Sequence, residues 1–165
     1  MRGRRPECKL DPRIKAVWRI SDVIVITIVF ACIALVGIIA WFADGSTRFW
    51  STPYCLVCLV AYVALVVLDL FAITPFRYSR WRYQLFDDFL EIENGILWRK
   101  HIVVPFVRVQ NTDTRQGPVL RAFGLASVMV STAGASFEIP GLRADEADQV
   151  RDRAAELARI AREDV

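Results

Sequence analysis

The chain has 165 residues, of which 55% are hydrophobic and 24% are charged, and its formal net charge is +3. A chain this apolar, with 12% aromatic residues, has enough surface to bury, which excludes a wholly disordered protein. The length excludes several large domains, so we expect one membrane unit joined to one small compact module.

Two apolar runs are long enough to cross a bilayer as helices. Residues 23–43 carry no charged side chain, and residues 53–73 carry only Asp69. At about 1.5 Å per residue, each helix reaches roughly 30 Å, which matches the hydrocarbon core of a bilayer. We do not expect the first run to be a cleaved signal peptide, because it is too long and lacks a small-x-small cleavage pattern. The two runs therefore predict a transmembrane helical hairpin over residues 23–73.

The placement of lysine and arginine predicts the orientation of this hairpin. Residues 1–22 carry seven such side chains, the loop over residues 44–52 carries only Arg48, and several arginines follow the second run. Positive flanks favour the cytoplasmic side, so we expect a multi-pass protein of the cell (inner) membrane with both termini cytoplasmic. Residues 1–22 are expected to form a basic segment whose helix begins near Pro12 and lies at the membrane interface.

Residues 74–165 change from continuous apolar runs to alternation, which is typical of strands with one buried face. Turn residues divide this part into at least six strands, and Asn94-Gly95 predicts a two-residue hairpin before a strand over residues 96–104. After Pro140-Gly141, apolar residues recur at spacings of three and four and predict a C-terminal helix. We therefore expect a small antiparallel sheet or barrel that this helix closes.

Several turn and packing motifs resemble those of a known family. They are Leu10-Asp11-Pro12-Arg13, Gln116-Gly117-Pro118, Phe123-Gly124-Leu125-Ala126, Thr132-Ala133-Gly134 and Ile139-Pro140-Gly141-Leu142. In these motifs the chain resembles the YdbS-like bacterial membrane proteins with a bacterial PH-like domain. The resemblance implies two TM helices followed by an α+β PH-like split β-barrel with a C-terminal helix, facing the cytoplasm over residues 74–165. It implies no catalytic residues.

The sequence gives little support to a catalytic or metal-binding function. Cys55 and Cys58 lie three apart, which leaves a thiol-redox membrane enzyme as a weak hypothesis, since a redox pair needs an activated thiolate in a polar setting. A zinc site needs further ligands, which Cys8, Cys32 and His101 are badly placed to supply. The sequence contains no nucleotide-binding glycine motif, nucleophile elbow or zincin motif. We expect no enzymatic activity, no metal and no cofactor.

Two non-enzymatic hypotheses are stronger. The first is a module at the cytoplasmic membrane face that assembles with copies of itself or with a related membrane PH-like protein, in an envelope-associated process. The second is a module that binds anionic membrane lipids. Charges over residues 74–165 are balanced, so we expect no nucleic-acid partner.

The candidate contacts for a lipid or a protein partner are polar residues near the membrane and around the longest predicted connection. For Arg108, Gln110 and Arg121, a hydrogen-bonding role at the barrel edge is the alternative interpretation. The full set is Arg77, Arg80, Arg82, Arg99, Lys100, Arg108, Gln110, Arg115 and Arg121.

Overall fold

The structure is a computed structural model, which describes residues 6–43, 48–96 and 98–163. Contacts divide the chain into two compact units. The membrane unit comprises Trp18–Pro75, and the PH-like unit comprises Met1–Val17 together with Phe76–Val165. The N-terminal segment therefore groups with the C-terminal module, whereas the sequence predicted it as a separate segment over residues 1–22.

Two long helices form the membrane unit. Helix α1 (Ile14–Ala43) and helix α2 (Arg48–Leu68) carry the two apolar runs, and residues 44–47 of the predicted loop lie outside the described part. Among the described residues, two helical segments, Ile14–Ile39 and Pro53–Arg80, are long and apolar enough to cross a membrane. Their large apolar side chains are mostly exposed, as lipid-facing side chains must be. The predicted hairpin spans are confirmed as apolar helices.

Small and hydroxyl-bearing residues bring the two membrane helices together. A Cβ atom on Gly37 would lie 2.7 Å from Cδ1 of Tyr54, so only glycine permits this approach. The Tyr54 hydroxyl donates to the Ile33 carbonyl at 3.0 Å, and the hydroxyls of Thr27 and Tyr62 are 3.1 Å apart. These bonds satisfy polar groups that lipid could not satisfy.

A π-helical turn over Asp69–Ile73 follows α2 and leads into helix α3 (Thr74–Arg80). Asp69 is buried, and its Oδ1 accepts a hydrogen bond from the Thr74 hydroxyl at 3.4 Å. The Leu70 carbonyl in the same turn accepts a bond from Nη2 of Arg19 at 3.0 Å. A π-turn disturbs the regular helical ladder, so the Arg19 side chain supplies a donor to a carbonyl where the backbone pattern changes.

The PH-like unit contains, within the described residues, six strands in two antiparallel sheets with orders β1-β2-β3 and β4-β5-β6. The sequence predicted one sheet or barrel, and the sheets instead remain separate, joined by a 3₁₀ turn over Phe106–Arg108. The strands are β1 (Arg82–Leu85), β2 (Phe89–Asn94), β3 (Lys100–Pro105), β4 (Val109–Arg115), β5 (Leu125–Thr132) and β6 (Ser136–Arg143).

Two further helices complete this unit. Short helix α4 (Pro118–Ala122) lies in the connection between β4 and β5, and helix α5 (Ala144–Glu163) is the predicted C-terminal helix. The apolar stripe of α5 packs on the second sheet and on the 3₁₀ turn. The buried core consists of Leu90, Ile92, Val104, Phe106, Leu125, Val128, Val130, Ile139, Leu142, Ala147, Ala154 and Leu157.

Residues 6–17, which we name the N-terminal strap, connect the edges of both sheets. The Tyr83 amide of β1 donates to the Cys8 carbonyl at 3.1 Å, and the Asp11 amide donates to the Gly141 carbonyl of β6 at 3.1 Å. Leu10 and Ile14 are almost fully buried. The first turn of α1 is thus packed within the PH-like unit, because its apolar residues find a buried site there.

The connection between β2 and β3 differs from the prediction. Asn94 ends β2 and Lys100 begins β3, so the loop between them is longer than the predicted two-residue turn. Gly95 has φ of +117°, a value that side-chain-bearing residues rarely adopt. The glycine therefore marks a turn, as predicted, but the second strand begins four residues later than predicted.

Candidate functional site

A cavity of about 300 Å³ opens on the PH-like unit between the strap, α3, the start of β1 and the β2–β3 loop. We name it the arginine cavity, because three of these elements each contribute one arginine to its lining. Its described lining residues are Pro6, Ser79, Arg80, Arg82, Glu93, Asn94, Gly95 and Arg99.

The local fold explains why two of these arginines share the cavity. Trp81 lies between Arg80 and Arg82 and is only 6% exposed, so it occupies the interior. The side chains on either side remain half-buried and line the cavity. The third arginine, Arg99, is exposed and comes from the loop that begins at Gly95.

The charges in the cavity are not balanced. Its described lining includes three arginines and one carboxylate, Glu93, which lies opposite Arg82 in the β1–β2 register. In the part of the chain that the structure describes, no carboxylate is within ion-pair distance of Arg80, Arg82 or Arg99. The guanidinium of Arg80 lies over the Phe76 ring at 4.6 Å, and Nη1 of Arg82 donates to the Trp81 carbonyl at 2.8 Å. Each guanidinium has five N–H donors, so most of them are available to an anion.

A second, more open cavity of about 710 Å³ lies at the other sheet. It brings together Arg108 and Gln110, two predicted contact residues, with Arg162 near the end of α5. The Nε of Arg162 donates to the Ala158 carbonyl at 3.0 Å, which occupies one donor. The sequence reasoning missed Arg162, although a basic residue in the last turn of a helix was visible in the sequence.

The other predicted contact residues line neither cavity. Lys100 is exposed at the start of β3, and Arg115 is exposed at the end of β4, opposite Ser127. Arg121 is exposed on α4, and Arg77 is half-buried on α3. The structure thus groups Arg80, Arg82 and Arg99 in one place and separates them from the rest of the set.

The sequence reasoning also missed Trp98 and most non-arginine cavity residues. Trp98 is 83% exposed in the β2–β3 loop, directly before Arg99 and Lys100. A tryptophan beside basic residues is a pattern of membrane interfaces, and this pattern was visible in the sequence. Pro6, Ser79 and Asn94 carried no such signal.

Two ionisable groups of the PH-like unit, the Tyr83 hydroxyl and the Cys8 thiol, have raised pKa values that favour their protonated forms. Burial, with the Glu146 carboxylate nearby, raises the pKa of Tyr83, whose hydroxyl donates to Oε1 of Glu146 at 3.2 Å. Burial also raises the pKa of Cys8, with smaller contributions from Glu146 and Glu7. A raised thiol pKa lowers the thiolate fraction, so Cys8 is a poor nucleophile at neutral pH.

The histidine and the cysteines of the described residues form no metal-binding cluster. Within the described ranges, no group of three His, Cys, Asp or Glu residues could hold a metal ion. Cys55 and Cys58 are free thiols, and His101 contacts the buried carboxylate of Glu91 through Nε2.

Gly95 is expected to be essential for the shape of the arginine cavity. A Cβ atom at this position would lie 1.9 Å from the Trp98 carbonyl oxygen, and φ is +117°. Gly95→Ala must therefore move the loop and displace Arg99, with an expected loss of about 1–3 kcal/mol of stability. Gly117→Ala is the matched control, since a Cβ there meets nothing within 4 Å. Thermal unfolding of both full-length variants in detergent measures the difference, and equal midpoints would contradict the prediction.

Comparison with known proteins gives two findings. The family model for the bacterial PH domain matches residues 12–158. The chain is 31% identical over 163 residues to the "UPF0699 transmembrane protein YdbS" of Bacillus subtilis (strain 168), and the match covers 98% of each chain. No solved structure matches the chain.

Proposed function

This chain is a transmembrane protein that belongs to the bacterial PH domain family, and from that premise we propose that it is a non-enzymatic assembly module. Its helical hairpin holds the PH-like unit at the cytoplasmic face of the cell membrane, where the unit pairs with a second copy of the same chain. The observation that carries this proposal is the outer edge of β3.

The strap and α5 contact the three other edge strands of the two sheets. The strap hydrogen-bonds to β1 and β6, and α5 contacts β4 through Asp148 and Arg151, which lie 3.4 and 3.5 Å from the Thr114 hydroxyl. In the described part of the chain, no comparable element bonds to the backbone of β3 on its outer side. Unpaired strand edges are templates for pairing with another strand.

The register identifies which backbone groups face outward from β3. The Phe106 amide donates to the Asp88 carbonyl at 3.0 Å, which makes this pair hydrogen-bonded. Because hydrogen-bonded pairs alternate along an antiparallel ladder, Lys100, Ile102 and Val104 bond to β2. The amides of His101 and Val103 therefore point away from the sheet.

A second copy can satisfy these amides. An antiparallel β3–β3 pair centred on Ile102 places His101 opposite Val103 of the partner, so each outward amide meets a carbonyl. Lys100 lies opposite Val104, which keeps like charges apart. Confinement of the chains to one membrane raises their local concentration and favours such pairing.

Assembly through β3 requires no catalytic residues. The described residues that line the two cavities are cations, amides and small or apolar side chains, with Glu93 as their single carboxylate and without histidine or cysteine. This composition supports binding rather than catalysis.

Val103→Pro tests the proposal, because it removes an outward amide without removing a bond to β2. We expect the full-length protein in mild detergent to run as a dimer and the variant to run as a monomer, as measured by light scattering. Val103→Ala keeps the amide and is the control, expected to remain dimeric. A monomeric parent protein, or a dimer that survives Val103→Pro with unchanged dissociation, would overturn the proposal.

A further inference from the structure

We propose that the arginine cavity is a phosphate-binding site whose ligand is the headgroup of an anionic phospholipid, with Trp98 entering the membrane interface beside it. This inference goes beyond assembly and uses a different surface from the outer edge of β3. It rests on the convergence of Arg80, Arg82 and Arg99, on the size of the cavity and on the exposed tryptophan in the same loop.

The lining of the arginine cavity has the chemistry of a phosphate site. Guanidinium groups bind phosphate oxygens through paired N–H donors, and three of them approach one cavity from α3, β1 and the β2–β3 loop. In the described chain these arginines have no carboxylate partner at ion-pair distance, although other surface arginines, such as Arg151 and Arg159, do. The lack of carboxylate partners at ion-pair distance among the described residues leaves a local positive potential that an anion would neutralise.

Glu93 limits which anion fits best. Its carboxylate lines the same cavity and lies opposite Arg82, so it offsets part of the positive charge. The remaining excess suits a phosphodiester, which carries one negative charge, better than a highly charged ligand. Asn94 and Ser79 add amide and hydroxyl groups that can bond to a headgroup alcohol.

The cavity size agrees with a headgroup. A volume of about 300 Å³ lies at the lower end of small-molecule pockets. Such a space holds a phosphate with a short polar alcohol but not the acyl chains, which must remain outside. A lipid that stays in the membrane meets this requirement.

The covalent chain joins one wall of the cavity to the membrane unit through a short segment. Arg80 follows Pro75, the last residue of the membrane unit, by five residues. Five residues span at most about 18 Å even when fully extended. Arg80, in the wall of the cavity, is therefore no more than about 18 Å from the end of the membrane unit.

Trp98 favours a membrane lipid over a free phosphate. It is 83% exposed, and two basic residues follow it directly. A fully exposed indole gains by entering the interfacial layer, where basic neighbours meet anionic headgroups. Free phosphate would make no use of this tryptophan.

The experiment compares matched triple variants of the full-length protein. Arg80→Gln/Arg82→Gln/Arg99→Gln removes the cavity cations, and Arg108→Gln/Arg115→Gln/Arg121→Gln removes the same charge from places outside this cavity. Native mass spectrometry in detergent measures binding of phosphatidylglycerol, phosphatidylcholine and diacylglycerol. Circular dichroism confirms that both variants fold.

We expect the cavity variant to bind phosphatidylglycerol at least about tenfold more weakly, and the control variant to stay within about twofold of the parent. The parent should prefer phosphatidylglycerol over phosphatidylcholine and should not retain diacylglycerol. Equal losses in the two triple variants, or no preference among the lipids, would overturn the proposal.

Competition with inorganic phosphate distinguishes a lipid headgroup from free phosphate as the ligand of the cavity. We expect it to displace phosphatidylglycerol only at high concentration, and Trp98→Ser to weaken lipid binding without changing phosphate binding. If inorganic phosphate binds tightly to the cavity while phosphatidylglycerol does not bind, the assignment to a lipid headgroup is wrong.

Discussion

Replacing Phe106 with alanine is expected to lower the free energy of unfolding of the PH-like unit by about 3–5 kcal/mol. Phe106 is fully buried in the 3₁₀ turn that joins the two sheets, and α5 packs against the same turn. The Phe106 amide also donates a hydrogen bond to the Asp88 carbonyl at 3.0 Å. Truncation of the ring leaves a cavity where the chain passes from the first sheet to the second. The loss of unfolding free energy is therefore expected at the upper end of the range for core substitutions.

The neighbouring residue provides the control for this prediction. Val107 is 44% exposed in the same turn, so Val107→Ala should cost no more than about 1 kcal/mol. Urea unfolding of the full-length variants in detergent, followed by near-ultraviolet circular dichroism, gives both values. Similar losses in the two variants would mean that Phe106 does not have the central position in the core that its burial indicates.

Replacing Gly141 with alanine is expected to lower the free energy of unfolding by about 2–4 kcal/mol and to release the strap. Gly141 has φ of +63°, and a Cβ atom there would lie 2.4 Å from Cγ1 of Ile14. The Gly141 carbonyl also accepts the Asp11 amide. Backbone strain and steric overlap therefore act at a place where the strap meets β6.

Two further variants separate these causes. Gly134→Ala should be nearly neutral, because a Cβ at Gly134 meets nothing within 4 Å. Adding Ile14→Ala to Gly141→Ala should cost less than the sum of the two single changes, since the smaller side chain removes the overlap. Additive costs in this cycle would show that the strap does not press on Gly141.

Release of the strap has a second readout in the alkylation of Cys8. The docked thiol has a raised pKa, so undocking should lower that pKa, increase the thiolate fraction at pH 8 and accelerate alkylation. The rate is measured by mass spectrometry of the peptide that contains Cys8. An unchanged rate in the Gly141→Ala variant would contradict strap release.

Local patterns predicted most elements of the fold correctly. The two uncharged runs, the alternation after Trp81 and the apolar stripe of the last helix each reflect a period within the chain. The resemblance to bacterial PH-like membrane proteins was confirmed by the family match over residues 12–158. The predicted PH-like fold with its C-terminal helix was confirmed as well. Its division into two three-stranded sheets was not visible in the sequence, because alternation shows which face of a strand is buried but not which strand lies beside it.

The strap shows a different failure of local reasoning. The sequence predicted a basic segment whose helix begins near Pro12, lies at the membrane interface and continues into the first span. In the structure, Leu10, Ile14 and Val17 are buried in the PH-like unit. Ile14 lies against Gly141 of β6, which is far away in sequence, so no local pattern could identify this contact.

The sequence by itself determined that this chain has two spanning helices, a strand-rich module and a closing helix, because hydrophobic periodicity depends on neighbours along the chain. The contact residues predicted from the sequence also included all three arginines of the arginine cavity. Only the tertiary structure decided that Arg80, Arg82 and Arg99 share one cavity, whereas Lys100, Arg115 and Arg121 do not. That selection depends on the long β2–β3 loop and on the docking of the strap, which are contacts between distant residues.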